Sequence, residues 1–304
     1  MPDLRKTHLD RVALASLLLC CLLWGLNQVA AKAGLSEIGP LWQAGLRSLG
    51  AALLVWAWSW LRGIPLFARD GSLRGGLLAG LLFGLEFACV FVGLQYTSAA
   101  RMVVFIYLSP FVVALGMPFI AASERLNLRQ MSGLVLAFAA VAWAFSEGWA
   151  QADRKPQQWL GDTLGVLAAL FWGGTTLTIR ATALSRISAE KTLLYQLAVS
   201  GLGLCLAAAL SGEVWVTAWS LRLSGLMLFQ TVVVSFASYL LWFWMVRHYP
   251  ATRLATFTLA TPLFGLLAGA LLLNEDVTLR LILALMALAI GVVMVNQAAQ
   301  RQAK

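Results

Sequence analysis

A single carboxylate, Glu86, falls deep inside a long apolar run of this 304-residue chain. It lies about twelve residues into a stretch near 75–95, so a helix rising 1.5 Å per residue places it roughly 18 Å deep, close to mid-membrane. An ionised side chain in hydrocarbon is costly, so Glu86 must face protein or a wet interior. There it either binds a substrate ammonium or carries a proton, or it makes a structural hydrogen bond or pairs with Arg47 or Lys32. Arg47, about seven residues inside the next apolar run upstream, is a candidate partner for a substrate carboxylate. Lys32 and Arg180 sit near run ends, where long basic side chains snorkel to the interface and anchor helices.

Aromatic and polar residues recur at comparable depth. Trp24 and Trp172 occupy equivalent mid-run places, away from the interfacial belt where Trp collects. Each either lines a cavity or packs beside its neighbouring glycine, Gly25 or Gly173. Asn27 and Thr175 lie one helical turn away and, with Gln43, Tyr195 and Gln196, can hydrogen-bond a ligand or tie helices together. Ser235, Ser238 and Tyr239 share one face at helical spacing. A pocket acidic on one wall and hydroxylic or aromatic on the other suits a zwitterion with an apolar side chain. Pro110 and Pro262 stand at matching places in two runs, as hinges or static bends, because proline removes a helical hydrogen bond.

Other chemistry finds no residues to carry it. The two histidines, His8 and His248, flank apolar runs, and there is no His-Glu helix motif, phosphate-cradling glycine loop or cysteine cluster. Cys20, Cys21, Cys89 and Cys205 read as small buried hydrophobes. No enzyme, metal site or cofactor is expected, and no loop is long enough to hold a nucleotide-binding domain.

These residues need membrane helices to position them. The chain is 61% hydrophobic and 12% charged, against about 45–50% and about 25% for a soluble domain. Runs near 12–33, 40–61, 75–95, 99–121, 129–147, 161–183, 189–211, 223–246, 252–273 and 279–296 are each about 20 residues, enough to cross a bilayer. The expected fold is therefore all-α and integral to the membrane, with ten transmembrane helices. Placing both termini in the cytoplasm puts fourteen Lys and Arg on that side and five on the other. The net charge of +9 thus reflects topology and not nucleic acid. A cleavable signal at the basic start, ending near Ala30-Ala31, is the alternative for the first run.

The two halves repeat. Leu23-Trp24-Gly25 matches Phe171-Trp172-Gly173, Gln43 matches Gln196, Tyr96 matches Tyr249, Ser109-Pro110 matches Thr261-Pro262 and Glu124 matches Glu275, at offsets drifting only between 148 and 153. Residues 1–150 and 151–304 are read as two five-helix repeats. Five is odd, so the second enters the membrane inverted, an arrangement that in secondary transporters puts substrate between the halves and permits alternating access.

Ten helices in two such halves, with Leu-Leu-Trp-Gly-Leu-Asn at 22–27 and the paired Ser-Pro and Thr-Pro, resemble the drug/metabolite transporter superfamily, more narrowly its EamA-type members and the YddG type of aromatic amino acid exporter. The resemblance implies a central cavity lined by spans one to four and six to nine, and export of amino acids, aromatic and other neutral, across a bacterial inner membrane. Gln28 departs from the aromatic often found after the family's Asn. Partners would be a small-molecule substrate and the lipid bilayer; a monomer is compatible with the sequence. Export of other metabolites or drugs, or a non-transporting receptor or assembly protein on the same scaffold, are the alternatives.

Overall fold

The computed structural model describes residues 11–120, 127–150, 156–217, 219–249, 258 and 260–302. They are almost wholly helical: α1 (Arg11–Gly34), α2 (Pro40–Leu61), α3 (Leu73–Gly93), α4 (Ala99–Ile106), α5 (Ser109–Ile120), α6 (Leu128–Ala150), α7 (Gln158–Ala181), α8 (Ala189–Leu210), α9 (Leu221–Leu228), α10 (Tyr239–His248), α11 (Ala260–Leu273) and α12 (Leu279–Gln302). Six segments are long and apolar enough to cross a membrane, among them Ala99–Ile120 and Leu221–Met245, which join elements across a break. Glu124, Arg125, Arg154, Lys155, Arg253 and the first ten residues lie outside the described residues.

Two of the sequence's unbroken runs are interrupted. The run at 99–121 divides at Tyr107-Leu108, where Leu108 N donates to Phe105 O at 3.1 Å and Phe111 N to Leu108 O at 3.0 Å. Pro110 explains the position. It has no N–H to donate, and its ring collides with the carbonyl four residues back, which belongs to Ile106, the last residue of α4. Pro262 sits in the first turn of α11, where a missing N–H costs nothing. The run at 223–246 contains a π-helical segment, Phe229–Ser238, between α9 and α10. Wide turns of this kind are rare and concentrate at functional sites.

Helix neighbours form a regular pattern. With α4–α5 and α9–α10 each counted as one span, α3 packs on α7 and α8, α5 on α7, and α4 on α11. The π segment packs on α1 and α2, α1 on α11, α2 on α8, and α6 on α12. Exchanging each segment for the one five places along reproduces these pairings, while smaller contacts such as α1 with α4 and α6 with α7 have no equally extensive counterpart among the described residues. Glycines allow the closest approaches. A Cβ on Gly25 of α1 would stand 2.6 Å from the Gly265 nitrogen of α11, and one on Gly173 of α7 would stand 2.6 Å from Val112 Cβ of α5.

Polar ties gather at the two ends of the bundle. At the end formed by the α1–α2, α3–α4, α8–α9 and α11–α12 turns, Asp162 is fully buried and accepts from Arg101 Nε at 3.0 Å, Arg101 Nη2 at 2.6 Å and Thr97 Oγ1 at 2.7 Å. The same guanidinium donates to Ala144 O at 2.7 Å, so α4, α6 and α7 share one charged node. This is the end to which the sequence assigns few basic residues. At the opposite, basic-rich end, Lys191 Nζ lies 2.8 Å from Asp70 Oδ2 and donates to Ala68 O at 2.7 Å. Those hydrogen bonds from Lys191 and Ser72 hold the Asp70 carboxyl down at about 2.

Gly25→Ala is expected to push α1 off the α11 backbone and destabilise the protein by about 1–3 kcal/mol. Gly203→Ala, with nothing within 4 Å of the added carbon, is expected to be neutral or stabilising by up to about 1 kcal/mol. Thermal unfolding of the two variants in detergent measures the difference.

Candidate functional site

The sequence puts Arg47 and Glu86 in different helices, and the fold brings them to one level. Arg47 follows the α2 start at Pro40 by seven residues and Glu86 precedes the α3 end at Gly93 by seven. Both helix ends lie at the basic-poor end, so each charged residue is about 10 Å below it. Arg47 is fully buried, and Glu86 is 4% exposed.

No nitrogen of the Arg47 guanidinium has a hydrogen-bond partner in the protein. Its plane lies 3.9 Å from the ring centroid of Phe87 and 5.2 Å from that of Phe91. Cation–π attraction thus supports the charge without using its N–H groups. The guanidinium also interacts with Glu86 and with the Tyr239 phenol, neither of which meets hydrogen-bond geometry with it. Glu86 Oε2 is likewise buried and unpartnered. A positive and a negative group therefore stand near each other in the protein interior, attracted but not joined.

A chain of aromatic rings reaches this pair through Tyr239. The Trp24 indole N–H donates to Ser238 Oγ at 2.9 Å, and its ring meets Tyr239 edge-on at 6.4 Å and Trp242 at 5.4 Å. Tyr239 interacts in turn with Tyr107, which meets Trp172 edge-on at 5.7 Å. Tyr107 occupies the break between α4 and α5, so the Pro110 kink is what puts a phenol beside the second half's rings. Ser238 also donates to Val234 O at 2.6 Å, which fixes the hydroxyl that receives the indole.

Other predicted residues divide into two groups. Gln43 on α2, Asn27 on α1 and Ser235 on the π segment are buried with side-chain oxygens, and for Gln43 the amide nitrogen too, lacking any partner. Thr175 and Gln196 are bonded to their own helices, at Phe171 O (3.0 Å) and Thr192 O (3.5 Å). Tyr195 lies toward the basic-rich end, 3.3 Å from Ser72 Oγ. Lys32, offered by the sequence as a partner for Glu86, instead approaches Glu275 at 3.6 Å.

Several members of the site escape the sequence reading. Phe87 and Phe91 continue a ridge begun by Phe83 at four-residue spacing on α3, a signal visible beside Glu86. Gln230, fully buried with both amide atoms unpartnered, and Ser48, one residue beyond Arg47, carry no such periodic mark. Each buried polar group without a partner costs about 1–3 kcal/mol. Among the described residues, α1, α2, α3 and the π segment each carry such groups.

The EamA-like transporter family matches the chain over residues 11–146 and 159–297. An uncharacterized transporter of Archaeoglobus fulgidus is 27% identical over 271 residues, covering 89% of this chain and 90% of that protein. The uncharacterized transporters YoaV and YvbV of Bacillus subtilis are 22% and 25% identical and cover 90% and 92% of this chain, and 92% and 90% of their own lengths. A protein of known crystal structure, 17% identical, superposes with a TM-score of 0.65 over 94% of this chain and 99% of its own, and so shares the fold.

If the buried pair serves function and not stability, the Arg47→Met/Glu86→Leu double variant should be more stable than the wild type, by about 1–4 kcal/mol, as when buried ion pairs give way to packed apolar groups. Chemical unfolding in detergent decides it. A double variant less stable than the parent would make the pair structural.

Proposed function

The chain belongs to the EamA-like transporter family, and we propose that this multi-pass membrane transporter exports amino acids, aromatic and other neutral ones, from the cytoplasm. The supporting observation is the unjoined pair Arg47 and Glu86 beside Tyr239, whose contacts lead to Trp24 and, through Tyr107, to Trp172. An α-amino acid presents a carboxylate and an ammonium on adjacent atoms, with a side chain beyond them. The carboxylate complements the free edge of a guanidinium, whose planar fork favours such partners. The ammonium complements Glu86, and the rings accept an apolar or aromatic side chain. A phosphorylated sugar would want several deep cations. Among the described residues of this interior, Arg47 is the one that fits.

Bound cargo would supply the partners that the protein withholds from these groups. Movement would follow from the architecture: ten spans as two inverted repeats, 1–150 and 151–304, exchanging their conformations so that the site opens alternately to either side. The most extensive helix pairings, which recur when the halves are exchanged, support that reading. The kink at Pro110 and the proline in the first turn of α11, Pro262, are the proposed hinges. The basic-rich end faces the cytoplasm, with both termini, in a bacterial inner membrane. The relatives are named transporters, and no enzymatic chemistry is involved.

Counterflow of labelled tryptophan or phenylalanine into liposomes preloaded with unlabelled amino acid tests the proposal. Arg47→Met and Glu86→Gln should each raise the half-saturating concentration by at least about 30-fold, the loss expected when one partner of a buried charged contact is removed. Arg47→Met should also erase the preference for tryptophan over tryptamine, which lacks the carboxylate. Wild-type affinity in both variants, or no exchange by well-folded protein, overturns it.

A further inference from the structure

Two helices of the second half end in the same way. α8 runs into Gly212 and α11 into Asn274, each in the left-handed region at φ 67° and 52°, and each of these residues is followed directly by a glutamate. The reversal turns the chain back on itself. Glu213 N donates to Ala208 O at 3.0 Å and Glu275 N to Gly269 O at 3.1 Å, so both side chains project across the basic-poor end toward the first half.

Each carboxylate lands on the start of a first-half helix. Glu213 Oε1 accepts from Leu41 N at 2.9 Å and from Trp42 N at 3.3 Å, in the first turn of α2. The Trp42 indole N–H donates to the Glu213 carbonyl at 3.1 Å. Glu275 accepts from Ala99 N at 2.8 Å and from Ala100 N at 3.0 Å, at the start of α4. Helix N-termini carry unpaired amides and partial positive charge, so a carboxylate from elsewhere in the chain is held strongly there. The N-cap residue of α2 is Gly39, which has no side chain to compete.

Glycines make room for both. A Cβ on Gly39 would collide with Glu213 Oε1, and one on Gly269 would come within 2.6 Å of Glu275 Oε2. Around Glu213 the two turns are further joined by the Ile38–Val216 bridge and by Thr217 N donating to Glu37 O at 2.9 Å. Beside Glu275, Lys32 donates to Thr97 O. The repeat carries Glu275 over to Glu124, outside the described residues, but Glu213 has no acidic counterpart. Its repeat positions, at offsets of 152–153, are Trp60 and Leu61.

We infer that Glu213 and Glu275 are a two-point latch that holds the basic-poor end shut, and that opening this end requires both carboxylates to leave the helix starts of α2 and α4. The inference rests on the alternating-access reading. At the other end the α2–α3 turn meets the start of α8 differently, through Asp70 and the Lys191 ammonium and not through a carboxylate on backbone amides.

Thiol labelling in nanodiscs tests it without any substrate. With the four native cysteines replaced by alanine, Ala31→Cys reports from a fully buried place on α1 near this end. Glu213→Ala and Glu275→Ala should each speed its modification by a hydrophilic maleimide by about tenfold or more, and together by more than either alone. Gly39→Ala, which displaces the Glu213 carboxylate but leaves it in the chain, should act like Glu213→Ala. Asp70→Ala, at the other end, should leave the rate unchanged. Unaltered labelling in Gly39→Ala and the glutamate variants, or an equal rise in Asp70→Ala, overturns the latch. Should the alanine variants fail to fold, Glu213→Gln and Glu275→Gln, which keep the shape and lose the charge, take their place with the same expectation. Labelling that responds as expected with no amino acid flux keeps the latch and sinks the cargo assignment; flux without a labelling response does the reverse.

Discussion

A buried guanidinium with its hydrogen-bonding edge unmet is the constraint from which the rest of this interior follows. Water cannot stabilise a charge within hydrocarbon, and a full ion pair with Glu86 would leave nothing for cargo. The structure takes a middle course. Phe87 and Phe91 stabilise the face of Arg47 by stacking, which fixes its orientation without consuming its N–H groups. Glu86 lowers the cost of the charge through space while remaining free at Oε2. Such an arrangement is stable only inside a well-packed shell, and the glycine-mediated contacts of α1 with α11 and α5 with α7 supply one close to the site.

Interior charge is treated in two opposite ways within the same bundle. Arg101 and Asp162 are as buried as Arg47, but they are joined by two hydrogen bonds, with Thr97 and the Ala144 carbonyl completing the node. That pair ties three helices and keeps nothing in reserve. Partner saturation, and not burial, separates a structural charge from one available to a ligand.

Much of this was legible in the sequence, for reasons that differ by residue. Glu86 stands out because one carboxylate in an apolar run has few excuses, Trp24 and Trp172 because the repeat aligns them, and Tyr239 because it shares a helical face with Ser235 and Ser238. The fold links Trp24 to Tyr239 directly and Trp172 through Tyr107. Thr175 and Gln196 looked equally promising, but hydroxyl and amide groups can bond to a carbonyl of their own helix, and in these two the sequence does not reveal that choice. The π segment was not legible either, since an i→i+5 turn leaves no periodic mark, and a break at Tyr107 could be placed only once Pro110 was known to end α4 four residues earlier.

The glutamates at the basic-poor end illustrate a further limit. Glu275 was seen as a repeat match and Glu213 was passed over, because each sits in a short turn where an acidic residue is unremarkable. Their meaning depends on which helix start lies opposite, and that is a property of how the halves meet. The two halves share a plan in their helices and differ in their turns. Helices are constrained by lipid and by each other, so a change in one must be answered in its neighbours. A turn at the membrane surface is freer to acquire a carboxylate such as Glu213 without disturbing the packing beneath. Asymmetry between the two ends of a duplicated transporter is therefore most readily introduced in its turns, where it alters the balance between closed and open ends and leaves the cargo site intact.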